Sequence, residues 1–166
     1  MEIRTIIEWL QLLPHPEGGF YREVYRSLGN IPQQALGPQF SGSRNYSTSI
    51  YFLLTSENFS AFHRIKQDEI WHFYQGSAIR IHVIYPNGEY RPQDVGLDFE
   101  VGELPQFVVP AGCWFASSVK DADSFSLTGC TVSPGFDFAD FELADRGELT
   151  ATFPQHAQII EQLTRI

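Results

Sequence analysis

The residues best suited to chemistry lie in one segment, Phe62–Gly76, which reads FHRIKQDEIWHFYQG. His63 and Ile65 are two positions apart, so they share one face of a strand, and Glu69 and Trp71 repeat that spacing beyond a short polar turn. One imidazole and one carboxylate are therefore expected to point into the same interior. A carboxylate beside an imidazole holds it in one tautomer and raises its basicity, which suits general acid–base catalysis near neutral pH.

A second informative segment follows at Gln106–Phe115, which reads QFVVPAGCWF and carries a proline–x–glycine turn at Pro110–Gly112. A histidine and a glutamate on a strand–turn–strand unit are a weak signal by themselves. The second strand and its turn make the combination much more specific.

Together these segments resemble the two signature motifs of the cupin superfamily. In the first motif, His63, Glu69 and Gly76 stand at the family's positions, whereas Ile65 replaces the second histidine. In the second motif, the proline and glycine fit, but Phe115 stands where the family has its third histidine. Two of the usual four metal ligands are thus apolar, so the resemblance predicts no bound cofactor. Weak binding of a divalent metal at His63 and Glu69 is left open.

The chain is also similar to a small cupin branch of unassigned function, the fifth cupin profile family. This resemblance covers nearly the whole chain and rests on four segments, namely His15–Glu23, Phe62–Gly76, Val108–Ala116 and Gly129–Leu143. It implies an all-β fold, a cupin-type double-stranded jelly-roll barrel with short N- and C-terminal helices, formed by a single cupin domain over residues 1–166.

Composition limits the partners and the location of the protein. A chain of 166 residues with 43% hydrophobic content can bury the core of one domain. The net charge of −9, with only two lysines, disfavours nucleic acid and anionic membrane surfaces as partners. Two cysteines are too few for a disulfide framework, no basic region with an apolar core opens the chain, and no apolar run reaches membrane length. We therefore expect a cytoplasmic protein.

The elements that must position the motif residues are mostly short strands. Apolar residues from Ile3 to Leu13 recur at helical spacing, and Pro154 opens a last helix. The strand Phe20–Leu28 is crowded with tyrosines and charges, as an edge or interface strand would be, and Gly29–Arg44 is predicted to be a long loop. Further strands are predicted at Tyr46–Leu54, Ala61–Ile65, Glu69–Gln75, Ala78–Tyr85, Phe107–Val109, Trp114–Val119 and Ser124–Val132.

Ten residues are predicted to form the site. His63 and Glu69 are the predicted catalytic pair; the predicted ligand-binding residues are Glu17, Tyr21, Arg22, Thr48, Trp71, Phe73, Gln106 and Phe115. Most of them also have a structural alternative: His63 as a barrel-lining histidine, Glu69 as the ion-pair partner of Arg22 or Arg44, and the aromatic residues Trp71, Phe73 and Phe115 as ordinary core. The alternative for Glu17, Tyr21 and Arg22 is a cluster of salt bridges at an interface.

Other reactive side chains are expected to lie elsewhere. His72 and His82 have the opposite strand parity from the inward residues and should point away from the pocket. His15 and His156 lie near the chain ends and are expected to face solvent. Cys130 is expected to act as a small hydrophobic residue.

The functional expectation is a small-molecule-binding cupin. The resemblance leaves open whether it also catalyses metal-independent acid–base chemistry, of the epimerase or isomerase type, on a small polar or sugar-derived ligand. Some cupins, such as the dTDP-sugar epimerase of rhamnose synthesis, work in that way through an inward histidine, which is a fold-level analogy. The alternatives are a non-catalytic ligand-binding or storage-like cupin and a metal-dependent cupin dioxygenase or isomerase. The expected partners are a small molecule and a second copy of the chain in a homodimer.

Overall fold

A computed structural model describes residues 3–166 and shows a protein built mainly of antiparallel strands. Its helices are α1 Ile3–Leu10, α2 Gln33–Leu36, α3 Arg146–Thr152 and α4 Ala157–Gln162, with single 3₁₀ turns at Phe99–Val101, Phe138–Asp140 and Pro154–His156. Its strands are β1 Leu13–Pro14, β2 Phe20–Arg26, β3 Asn30–Ile31, β4 Arg44–Asn45, β5 Thr48–Thr55, β6 Phe59–Arg64, β7 Asp68–Gly76, β8 Ile79–Ile84, β9 Tyr90–Val95, β10 Gln106–Val109, β11 Trp114–Val119, β12 Phe125–Ser133 and β13 Glu142–Leu143.

Two sheets face each other and enclose the main core. The six-stranded sheet has the order β1-β2-β5-β12-β7-β10, and the five-stranded sheet has the order β13-β6-β11-β8-β9. Most neighbouring strands in these sheets are not consecutive in the sequence, as expected for a jelly roll. Phe52 and Trp71 from the first sheet pack with Ile81, Val83 and Phe115 from the second. The predicted jelly-roll barrel is therefore confirmed.

Helices cover the outer faces of both sheets. On the six-stranded sheet, Ile6 of the amphipathic helix α1 packs on Leu53 and Leu127. On the five-stranded sheet, Leu149 of α3 and Ile160 of α4 bury the outer side together with neighbouring apolar residues. Strands buried on both faces explain why the alternation of polar and apolar residues is incomplete in this sequence.

Most predicted strands lie within one or two residues of the observed ones. Besides four strands of two residues each, the sequence did not indicate β9, where Pro92 interrupts a polar segment. That strand lies next to β8 at the edge of its sheet, the place where a strand tolerates proline. The predicted loop Gly29–Arg44 contains α2 and the short strand β3, and the last predicted helix is preceded by α3.

Two glycines shape the turns that hold the motif strands. Gly76, with a φ of 97°, ends β7 so close to Phe125 of β12 that a Cβ would collide with its carbonyl group. Gly112, with a φ of 76°, completes the Pro-x-Gly turn and donates its backbone N–H to the carbonyl of Ile65 at 2.9 Å. The turn between β10 and β11 is thus fixed against the end of β6. Within residues 3–166, no helix is long and apolar enough to cross a membrane.

Candidate functional site

A cavity of about 630 Å³ opens between the two sheets and has the size of a small-molecule site. The motif strands supply its floor, because Glu69 pairs with Val132 and Trp71 with Cys130 in the β7–β12 ladder, and these residues all line the cavity. His63 reaches the same space from β6 in the opposite sheet. The imidazole of His63 and the carboxylate of Glu69 thus lie in one interior, as the two-residue spacing within each strand predicts.

The principal contact of His63 is with Glu17, not with Glu69. Its Nε2 lies 2.9 Å from Oε2 of Glu17, and its Nδ1 lies 2.7 Å from the carbonyl oxygen of Ala61. A carbonyl can only accept, so Nδ1 carries a proton and donates it. The contact between Nε2 and the carboxylate then requires a second proton. Both ring nitrogens are therefore engaged, and the second proton lies between Nε2 and the carboxyl of Glu17.

The electrostatics of the pair agree with its geometry. Burial opposes the charge on His63, but the charge of Glu17 and the hydrogen bond to it outweigh burial and raise the pKa of His63 above its ordinary value. Burial likewise opposes the charge on Glu17, and the neighbouring His63 lowers the pKa of that carboxyl below its ordinary value.

Glu69 is in a different electrostatic environment. Burial raises its pKa to about 7, with His63 acting in the opposite direction and the negative Glu17 adding to the rise. The neighbouring thiol of Cys130 is protonated, because burial first and the charge of Glu69 second raise its pKa well above the usual value. Of the two buried carboxyls Glu17 and Glu69, Glu69 is therefore the one whose pKa lies near neutral.

His15 also lines the cavity, so the prediction that it faces solvent is wrong. The turn that follows it is fixed to β6, since Ala61 donates its backbone N–H to the carbonyl of Glu17 at 2.9 Å. Nδ1 of His15 accepts from the backbone N–H of Glu17 at 3.2 Å and so carries no proton. The separation of 3.7 Å between that nitrogen and Oε1 of Glu17 is consequently not an ion pair. Burial lowers the pKa of His15, in keeping with a neutral ring.

Three phenylalanines from the segment after β12 form one side of the cavity mouth. Phe136 and Phe138 pack edge to face with ring centroids 4.9 Å apart, and Phe141 stacks on His63 at 5.3 Å. Thr48 fixes the start of this segment by accepting the backbone N–H of Phe136 at 2.9 Å.

A buried ion pair anchors the same segment to the barrel. Both carboxylate oxygens of Asp140 accept from the guanidinium of Arg44 at 2.7 Å, and one also accepts from the amide of Gln67 at 2.8 Å. Arg44 is thereby the partner of Asp140. The structural alternative that paired Arg44 with Glu69 is wrong.

Seven of the ten predicted site residues line the cavity: His63, Glu69, Glu17, Tyr21, Arg22, Thr48 and Trp71. The other three do not. Gln106 lies on the outer face of the sheet, where its amide bonds to Nδ1 of His72 at 2.8 Å. Phe115 lies behind His63 with ring centroids 4.1 Å apart, and Phe73 packs at the margin of the core. The parity prediction for His72 agrees with this outward position.

Sequence reasoning missed His15 and the three phenylalanines as wall residues. The phenylalanines belong to a segment of irregular backbone, so no strand or helix period predicted their direction. The only available signal was the density of aromatic residues in Gly129–Leu143, one of the four family-like segments.

The cavity does not fit the metal site of typical cupins. Ile65 and Phe115 occupy two of the four ligand positions, and Nε2 of His63 faces Glu17. No group of three or more histidine, cysteine, aspartate or glutamate side chains within residues 3–166 is arranged to hold a metal ion. We therefore derive no chemistry through a metal.

Comparison with known proteins gives consistent results. The family model described as "Cupin superfamily (DUF985)" matches residues 4–144. The crystal structure of protein SO0799 from Shewanella oneidensis has a TM-score of 0.90 and 43% identity, covering 99% of this chain and 98% of that chain. Uncharacterized protein YML079W of Saccharomyces cerevisiae is 35% identical over an alignment of 146 residues, covering 82% of this chain and 72% of the yeast protein.

A more distant likeness concerns the fold alone. Oxalate decarboxylase from Bacillus subtilis has a TM-score of 0.55 at 15% identity, covering 90% of this chain and 36% of that chain. The family match over residues 4–144 and the jelly-roll barrel lead to one conclusion: the chain belongs to the cupin superfamily, in its DUF985 family.

Proposed function

We propose that the protein binds a small polar molecule in the barrel and performs metal-independent acid–base chemistry on it, of the epimerase or isomerase type. The observation that carries this proposal is the presence of two buried carboxyls with different environments in one cavity. Glu17 is paired with His63, whereas Glu69 has a pKa of about 7. Two carboxyls whose pKa values are separated in this way commonly divide the roles of charge stabilisation and proton transfer.

In this proposal, Glu69 has the proton-transfer role. Both ring nitrogens of His63 are engaged, so this residue holds Glu17 in place and balances its negative charge. Glu69 would remove a proton from the ligand and return it, and its pKa near neutral favours both directions. His15 has an Nε2–H without a partner among residues 3–166, which is available to a polar group of the ligand.

A non-catalytic binding role is the second candidate. It is favoured by the same engagement of His63, since the histidine that serves as the base in the fold-level analogy is not free here. The two candidates differ in whether Glu69 exchanges protons with the ligand.

The test begins with native mass spectrometry of the freshly purified protein, which identifies any copurified small molecule. That molecule is then incubated in deuterium oxide with the wild type, with Glu69→Gln and with the control Glu57→Gln, which removes an exposed carboxylate outside the cavity. Deuterium incorporation at carbon by the wild type and the control, but not by Glu69→Gln, is the expected result. Binding without exchange supports the non-catalytic role, and a ligand-free protein that captures nothing from a metabolite extract contradicts both candidates.

We also propose that two copies of the chain form a homodimer. Trp9 of α1, Tyr25 of β2 and Leu28 just beyond it are 76%, 55% and 98% exposed, which is unusual for large apolar side chains on neighbouring segments. Light scattering at micromolar concentration is expected to give twice the chain mass of 18.9 kDa. The double variant Trp9→Ser, Tyr25→Ser should weaken the dimer, and a wild type that is monomeric at this concentration contradicts the proposal.

The cytoplasmic location of the protein stays a prediction.

A further inference from the structure

Three side chains carry the charge deep inside the cavity. The imidazolium of His63 and the carboxylate of Glu17 lie 2.9 Å apart and cancel each other. Glu69 is only 8% exposed, yet no lysine, arginine or histidine in the described part of the chain forms a salt bridge with it. When Glu69 is ionised, the interior therefore holds one uncompensated negative charge.

The arginines at the cavity mouth do not compensate this charge. Arg26 is committed to Glu23, with nitrogen–oxygen distances of 2.9 and 2.7 Å, and also donates to the carbonyl of Phe136 at 3.0 Å. Arg22, an exposed residue that lines the cavity, donates to the carbonyl of Leu10 at the end of α1 at 3.2 Å. Deep in the cavity, an anionic ligand would thus meet the carboxylates of Glu17 and Glu69, and the cation there, His63, is already paired with Glu17.

The walls of the cavity are aromatic. Tyr21 and Trp71 line the barrel side, and Phe136, Phe138 and Phe141 line the mouth with their rings in mutual edge contact. The faces of aromatic rings carry partial negative charge and attract organic cations, and this attraction strengthens where water is excluded. Aromatic walls and an unpaired buried carboxyl favour the same class of ligand.

We propose that the ligand of this cavity is a small organic cation, an amine whose ammonium group pairs with Glu69 and whose apolar body packs against the aromatic walls at the mouth. This inference rests on the proposed function, because it names the class of molecule that the same site takes. A cation also meets the general requirement that a buried carboxylate be paired.

Three probes of one size separate the charge of the ligand from its shape. Benzylamine, benzyl alcohol and benzoate share the ring and carry positive, zero and negative charge at mildly alkaline pH. Isothermal titration calorimetry with chelator-treated protein is expected to show benzylamine binding about tenfold more tightly than benzyl alcohol, with benzoate weakest. In Glu69→Gln, benzylamine should lose this advantage and bind no better than benzyl alcohol. Glu57→Gln removes an exposed carboxylate outside the cavity and should leave the order unchanged.

Each other outcome overturns the inference in a recognisable way. Tighter binding of benzoate or benzyl alcohol excludes a cationic ligand but keeps small-molecule binding as the function. Binding of none of the three contradicts the cationic class, and together with a ligand-free native mass spectrum it contradicts the proposed function as well. If zinc or manganese alone binds in a Glu69-dependent manner and benzylamine does not, the uncompensated charge serves an inorganic ion. Circular dichroism of each variant verifies that the fold is retained.

Discussion

Replacing His63 by leucine is expected to lower the free energy of unfolding by about 3–5 kcal/mol, the cost of leaving one partner of a buried ion pair without the other. Glu17 is 5% exposed, and its carboxylate would lose the imidazolium at 2.9 Å that makes its ionised form tolerable. Its pKa, now below the ordinary value, would rise as burial became the dominant influence. Denaturant unfolding at neutral pH measures the change.

Two further variants show whether the loss comes from the orphaned charge. The double variant His63→Leu, Glu17→Gln should lose much less stability than the sum of the two single variants, because the glutamine leaves no buried charge behind. His72→Leu is the matched control, since His72 lies on the outer face of the same barrel and bonds to Thr131 and Gln106. If His63→Leu costs no more than His72→Leu, the ion pair does not contribute to stability.

The contacts that decide this prediction were only partly accessible from the sequence. The inward direction of His63 and Glu69 followed from a period of two residues and a polar turn, which is local information. The pairing of His63 with Glu17 was not accessible, because it joins a strand to a glycine-containing turn that has no period. That turn is fixed by a backbone hydrogen bond from Ala61, and the same contact turned His15 inward.

The error at Gln106 has a similar origin. Parity within β10 could be read from the sequence, but the register between β10 and β7 could not. The structure pairs Gln106 with His72, so a residue predicted inside shares the outer face with one predicted outside. A one-residue difference in register would have reversed this result. The inner face of β7 was predictable since its residues lie within the motif, whereas the face of its neighbour depended on a pairing between distant segments.

Replacing Glu69 by glutamine is expected to change the pH dependence of stability. The folded protein holds the proton of Glu69 up to a pH of about 7, whereas the unfolded chain releases it near the ordinary value of 4.5. Between these values the folded state binds more protons than the unfolded state, so the contribution of Glu69 to stability falls as the pH rises. Below 4.5 both states are protonated and the contribution is constant, and above about 7 the full cost of burying the charge is present.

The variant lacks this titration, so its stability relative to the wild type should increase through the same window. The total increase is on the order of 3 kcal/mol, the equivalent of the pKa difference. The other titratable groups that face Glu69 are His63, Glu17 and Cys130. His63 and Glu17 stay charged through the middle of the window, because the pKa of the first is raised and that of the second is lowered, and Cys130 stays protonated throughout.

Urea unfolding at a series of pH values, with Glu57→Gln as the exposed control, measures the slope. A flat difference between Glu69→Gln and the wild type would show that Glu69 is ionised in the folded protein as readily as in the unfolded chain, which would remove it as the proton-transfer group.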